Sequence, residues 1–172
     1  MNLNIHPPLP ERKDWRIGCV GSGFIMSDCH LVAYGKAGFN PAAIASRTAA
    51  NAAACAERHS IGTVYDSIDQ LLDDESIEVL NLAVPPDNQL EVIKAACARG
   101  TVKGILAQKP LGSNYAEAVE AVEACKDAGI VLAVNQNMRY DQSVRAAKTL
   151  LENGTLGDPV LATLDMRGIP HW

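Results

Sequence analysis

Short apolar runs set apart by segments of helical length recur along this chain, and that alternation restricts the fold more than any single motif. "WRIGCV" (15–20), "FNPAAIAS" (39–46), the brief "VYD" (64–66), "EVLNLAVP" (78–85), "VKGILAQKP" (102–110) and "IVLAV" (130–134) each suit a buried strand. Unbroken apolarity marks strands covered on both faces, as parallel sheets are. Between them the pattern predicts a helix from about Ile25 to Ala37 and the alanine-rich "TAANAAACAERHS" with Thr48 as its cap. A short helix capped by Asp66 or Ser67 follows, then "DNQLEVIKAACARG" closed by Gly100, and "NYAEAVEAVEACKDAG" begun by Asn114. A last helix, "DQSVRAAKTLLENG", ends at Gly154. Strands joined through helices of this length are βαβ units, so the expected fold class is α/β: a doubly wound parallel sheet with helices on both faces.

Composition removes several alternatives. A chain of 172 residues that is 48% hydrophobic supports one well-buried core. Fifteen basic residues against twenty acidic ones give a net charge of −5, and the basic residues are scattered rather than striped. Nucleic acid and anionic membrane are therefore not expected partners. No apolar run approaches the roughly 20 residues that span a bilayer. The opening "MNLNIHPPLPERKDW" has no apolar core to serve as a secretion signal, so residues 1–14 read as a loosely held arm and the expected compartment is the cytoplasm. Cys19, Cys29, Cys55, Cys97 and Cys125 include no C-x-x-C pair and all fall in apolar segments. They read as buried, reduced thiols rather than disulfides or metal ligands, and no metal site is expected.

"CVGSGFIMSDCH" (19–30) places Gly21 and Gly23 between the first strand and the first helix. Backbone N–H groups and the positive end of a helix dipole converge there, which is where a pyrophosphate can be held. Gly21 supplies the tight turn and Gly23 leaves the backbone bare toward the phosphates; Met26 stands where a third glycine would bring helix and strand closer. In its strand–turn–helix setting the pair reads as a dinucleotide site of Rossmann type, against the plainer alternative of a turn with two glycines. The second strand ends in "AIASRT", with Ser46 and Arg47 and no carboxylate for ribose hydroxyls. A hydroxyl and a guanidinium suit a 2′-phosphate, so NADP is favoured over NAD. The alternative for Arg47 is a solvated residue at a helix start.

"CVGSGFIMSDCH", "AIASRT", "LAVPPDNQ", "ILAQKPLG" and "NQNMRY" occur in the order and spacing of one family. From about Trp15 onward the chain resembles the glucose-fructose oxidoreductase, inositol dehydrogenase and MocA family of NAD(P)-dependent sugar and polyol oxidoreductases. "AQKP" looks like that family's Glu-Lys-Pro motif, with Gln108 in place of glutamate. The resemblance gives Lys109 the catalytic role near the nicotinamide ribose and the reacting hydroxyl, and implies a cis peptide before Pro110. It further implies that Phe24, Ile25, Pro85, Asn88, Gln108 and Gln136 join Gly21, Gly23, Ser46, Arg47 and Lys109 in binding the cofactor. Gln89 stands where many relatives have a histidine. Arg139 and Tyr140 fall at the active-site edge by the same resemblance, whereas His30 reads as a satisfied, half-buried core residue.

Chemistry supplies a reason for Lys109 apart from resemblance. Oxidising a secondary alcohol by hydride transfer requires its hydroxyl proton to leave, and an ammonium at the carboxyl end of a parallel strand can orient and polarise that oxygen. The plainer alternative is a surface lysine at a strand end. By resemblance the domains divide as an arm (1–14), an NAD(P)-binding Rossmann domain (15–140), and a connecting helix leading to the first strand of a truncated α+β substrate domain (141–172). That strand is "VLATLDMRG", expected to pair with a neighbouring chain or to be disordered; His171 comes too early to be the family's catalytic histidine. The functional expectation is hydride transfer between nicotinamide and a sugar or polyol in a homo-oligomer. Without the family's second-domain Asp and His, the chain is expected to bind cofactor but not to turn over sugar usefully. A noncatalytic dinucleotide-binding module is the alternative, and a methyltransferase is the weaker rival.

Overall fold

Successive side chains of each strand point to opposite faces of the sheet, and that decides the layering. In the computed structural model, which describes residues 3–165, Ile17 and Cys19 of the first strand face one hydrophobic cluster and Val20 faces the other. The strands are β1 (Ile17–Val20), β2 (Ala43–Ala45), β3 (Thr63–Tyr65), β4 (Val79–Leu82), β5 (Gly104–Gln108) and β6 (Val131–Asn135). They form one parallel sheet in the order β3-β2-β1-β4-β5-β6. The helices are α1 (Leu31–Ala37), α2 (Ala49–His59), α3 (Ile68–Leu72), α4 (Pro86–Arg99), α5 (Tyr115–Asp127) and α6 (Gln142–Glu152).

One face of the sheet packs Leu71 and Leu72 of α3, Ile93 and Ala96 of α4, and Ala121 and Cys125 of α5 against Val20, Leu80, Leu82 and Ile105. The other packs Leu31 of α1 and Ala52, Cys55 and Ala56 of α2 against Ile17, Cys19 and Ile44. Each buried leucine, isoleucine or valine among them stabilises the fold by about 1.5–3 kcal/mol. The layering is the Rossmann arrangement. The chain runs outward from β1 to β3 and then crosses back to β4, so β1 has β2 on one side and β4 on the other. The connections that leave β1 and β4 diverge there, opening a crevice at the carboxyl ends of the strands.

Three local details differ from expectation. The first helix does not start as an α-helix: residues Ile25–His30 form a wider π-helical stretch, with Met26 wholly buried beneath it. A thioether in place of a third glycine needs room between helix and sheet, and the wider turn provides it. Thr48 stands at the N-cap of α2, but its side chain makes no cap bond. Cys29 is exposed, and Cys97 is half-buried at the margin of the core, its Sγ 3.7 Å from that of Cys125; only Cys19, Cys55 and Cys125 are buried. All five thiols are free. Residues 160–165 form no strand, having no ladder partner among the described residues, and the remainder of "VLATLDMRG", with His171, lies outside the described residues.

Other caps follow the sequence. Ser67 Oγ accepts from Gln70 N at 3.2 Å, and Gly100 closes α4 at φ 66°. The start of α5 is locked reciprocally: Asn114 Oδ1 accepts from Glu117 N at 3.0 Å, while Glu117 Oε2 accepts from Ser113 N at 2.7 Å. The chain divides into two units, one of residues 9–136 and one of residues 1–8 with 137–172. The boundaries expected from the sequence are 14/15 and 140/141. In the smaller unit Asp141 caps α6 through Ser143 N, and α6 ties down the arm, with Arg145 Nε donating to Asn4 O at 2.8 Å and Thr149 Oγ1 to Leu3 O at 2.9 Å. No helix among the described residues is long and apolar enough to cross a membrane.

Candidate dinucleotide site

Parallel strands bring every strand-to-helix turn of the larger unit to one edge of the sheet. A cleft of about 660 Å³ opens there, lined by Gly21, Gly23, Ser46, Arg47, Pro85 and Asn88 together with the loop after β3. Gly21 has φ +100°, and a Cβ at that position would lie 2.4 Å from Ala83 O. Its N–H donates to Ala45 O at 2.9 Å, which fastens the turn to β2. Only glycine meets both demands. A Cβ on Gly23 would meet nothing within 4 Å, so this glycine has another purpose: it leaves open the side of the turn that faces the cleft. A turn bare of side chains at a helix start fits a pyrophosphate.

Ser46 and Arg47 differ in what they have free. Ser46 is 7% exposed; its Oγ donates to Thr48 O at 2.8 Å and accepts from Ser22 Oγ at 3.0 Å, linking the glycine turn to the loop after β2. Arg47 is exposed at the cleft and has no ion pair among the described residues. At the opposite edge of the sheet two cations share one carboxylate: Lys103 and Arg12 each bond Glu78 at 2.7 Å and hold its carboxyl down to about 2.

Lys109 follows β5, exposed, in a loop with a cis Lys109–Pro110 bond. Its ammonium carries no ion pair among the described residues, and Gln108 turns its Oε1 onto Lys109 N at 2.9 Å. Phe24 and Ile25 are exposed just past the glycine turn, and Gln136 is exposed just past β6. These five residues stand at the same sheet edge without lining the cleft itself. Arg139 and Tyr140 are exposed in a 3₁₀ turn, Asn137–Tyr140, of the smaller unit.

His30 is buried and doubly satisfied: Asn81 Oδ1 lies 3.0 Å from Nδ1, and Asn135 Nδ2 lies 2.8 Å from Nε2. An acceptor at one ring nitrogen and a donor at the other select the neutral ring protonated on Nδ1. Burial correspondingly lowers its pKa. Burial also pushes the Cys19 thiol up to about 12, leaving it without thiolate character. Sequence reasoning missed Ser22, Asn51 and the Asp66–Asp69 loop as cleft walls. The signal was available, since parallel topology places the turn after β3 at the same edge as the turn after β1.

A glycine turn at the reversal point of a six-stranded parallel sheet defines a nucleotide-binding Rossmann domain. The sequence profile GFO_IDH_MocA, described as an oxidoreductase family with an NAD-binding Rossmann fold, matches residues 15–136, and the chain belongs to that family. It is 38% identical over 97 residues to an uncharacterised oxidoreductase of Schizosaccharomyces pombe, a match covering 56% of this chain and 26% of that protein. It is 28% identical to 1,5-anhydro-D-fructose reductase of Ensifer adhaerens, over 86% of this chain and 44% of the relative. Levoglucosan dehydrogenase in complex with NADH superposes with a TM-score of 0.77 at 29% identity, over 84% of this chain and 40% of the other. The chain thus spans less than half the length of these relatives.

Proposed function

We propose that the chain supplies the cofactor half of an NADP-preferring oxidoreductase that moves a hydride between nicotinamide and a sugar or polyol. The observation that carries this reading is Arg47, a cation without an ion pair among the described residues, at the mouth of a cleft whose floor is a bare glycine turn. A 2′-phosphate there gains a charged, forked hydrogen bond, whereas the ribose diol of NAD offers no anion. Gly21 and Gly23 hold the pyrophosphate, Pro85 and Asn88 wall the cleft, and Ser46 orders the loop that carries Arg47. Phe24, Ile25, Gln108 and Gln136 border the nicotinamide end.

The bound dinucleotide supplies the hydride chemistry. Lys109 orients the substrate oxygen and stabilises the charge that develops on it. The names of two relatives, for 1,5-anhydro-D-fructose and levoglucosan, support a sugar-derived substrate. We take residues 15–140 as the NAD(P)-binding domain, residues 141–172 as the connection into a substrate domain, and the working state as a cytoplasmic homo-oligomer. Calorimetry with NADPH and NADH tests the cofactor assignment: NADPH should bind at least several-fold more tightly, and equal affinities would refute it.

A further inference from the structure

Gln89, in the first turn of α4, is wholly buried. A buried carboxamide needs a partner at each polar atom, and this one finds all of its partners in a single short loop. Its Nε2 donates to Gln108 O at 2.9 Å and to Pro110 O at 2.7 Å, and its Oε1 accepts from Gln108 N at 2.8 Å. These main-chain groups bracket Lys109. The Lys109 N–H between them is taken by Gln108 Oε1.

From this geometry we infer that Gln89 is a positioning residue for Lys109. The lysine side chain is exposed and has no ion pair among the described residues, so its reach is set by where its Cα is held. That anchor is the Gln89 amide. The same turn of α4 presents Asn88 and Glu91 to the cleft, so one helix start fixes both the cofactor cleft and the lysine loop. A buried glutamine with these three bonds also raises the cost of moving the loop, since each main-chain group left unpaired in the interior is penalised.

The inference rests on the proposal that Lys109 faces the nicotinamide end of the cofactor, and the test separates the two. NADPH and its adenosine-half fragment 2′,5′-ADP are titrated calorimetrically into the full chain, Lys109→Ala, Gln89→Met and the double variant. Lys109→Ala is expected to weaken NADPH about tenfold, the loss of one charge-assisted contact. Gln89→Met is expected to weaken NADPH by a similar factor while leaving 2′,5′-ADP within about twofold, and to have less than about a twofold further effect once Lys109 is absent. Additive losses, or equal losses for NADPH and the fragment, overturn the inference and make Gln89 a packing residue. No effect of Lys109→Ala, or no NADPH binding by the parent, overturns the reading of the site and the inference with it. Should Gln89→Met fail to fold, Gln89→His, which keeps one donor and one acceptor, takes its place in the cycle; unfolding of both shows a folding role and overturns the inference.

Discussion

The glycine turn after β1 and the lysine loop after β5 stand at the same edge of one sheet and are held in opposite ways. The turn is shaped by missing side chains: Gly21 lies so close to Ala83 O that a methyl group cannot enter, and Gly23 leaves the cleft side bare. The loop is shaped by side chains that are present, the Gln89 and Gln108 amides that bind its main chain. A site built from absence is sensitive to anything added. One built from buried amides is sensitive to anything removed.

Additions to the turn should therefore have the largest effects. Gly21→Ala is expected to lose about 3 kcal/mol of stability, from a left-handed φ on a residue with a Cβ and from the clash with Ala83 O. A urea midpoint equal to the parent's would show that the turn is not fixed by absence. Gly23→Val separates shape from stability: the unfolding free energy should stay within about 1 kcal/mol of the parent, because the new Cβ meets no protein atom within 4 Å. NADPH binding should fall by at least about 100-fold, because the side chain enters the space left for phosphate. Undiminished binding by the folded variant would reduce the glycines to an ordinary turn.

Next in size is Arg47→Asp, which should reverse the preference between NADPH and NADH, a change of about 1.5–3 kcal/mol in their relative affinities. A ratio unchanged in the variant would remove Arg47 from cofactor choice. The smallest effect concerns His30, another buried polar residue. Its folded pKa is lowered by burial, so the unfolded chain takes up a proton first as the pH falls through about 6.5. Stability present above that pH is lost as the pH drops further, through the folded value. Urea midpoints at pH 7.5 and 5.5 check this: the parent should lose more than His30→Gln, and equal losses would show that the ring titrates without consequence.

This contrast also explains what the sequence made legible. The sheet, its helices and the glycine pair follow from apolar period and turn chemistry, which are local properties, and Ser67, Gly100 and Asn114 act as caps at their expected places. The pairing of Gln89 with the loop 108–110 joins residues about twenty positions apart, and no short-range pattern marks it. Ser46 shows the same limit. Its residue type suits a phosphate ligand, yet its hydroxyl already donates to Thr48 O, a bond visible only when the loop is folded. Thr48 has a capping residue's identity and the extended backbone of an N-cap but makes no cap bond, because that bond depends on where the side chain turns.

The strand order carries a consequence for how the molecule assembles. Ile17 pairs with Val79, whereas Gly18 pairs with Ala43 and Gly104 with Val131. The sheet is thus two locally connected halves joined by one distant seam, and closing the longer loop carries the greater entropic cost. During synthesis, at about 5–20 residues per second, β1 waits roughly 3–12 s after leaving the ribosome tunnel before β4 follows it. The crevice between β1 and β4 exists only once that seam has closed. A dinucleotide held in that crevice would therefore add its binding energy to the closure of the seam and not to either half alone.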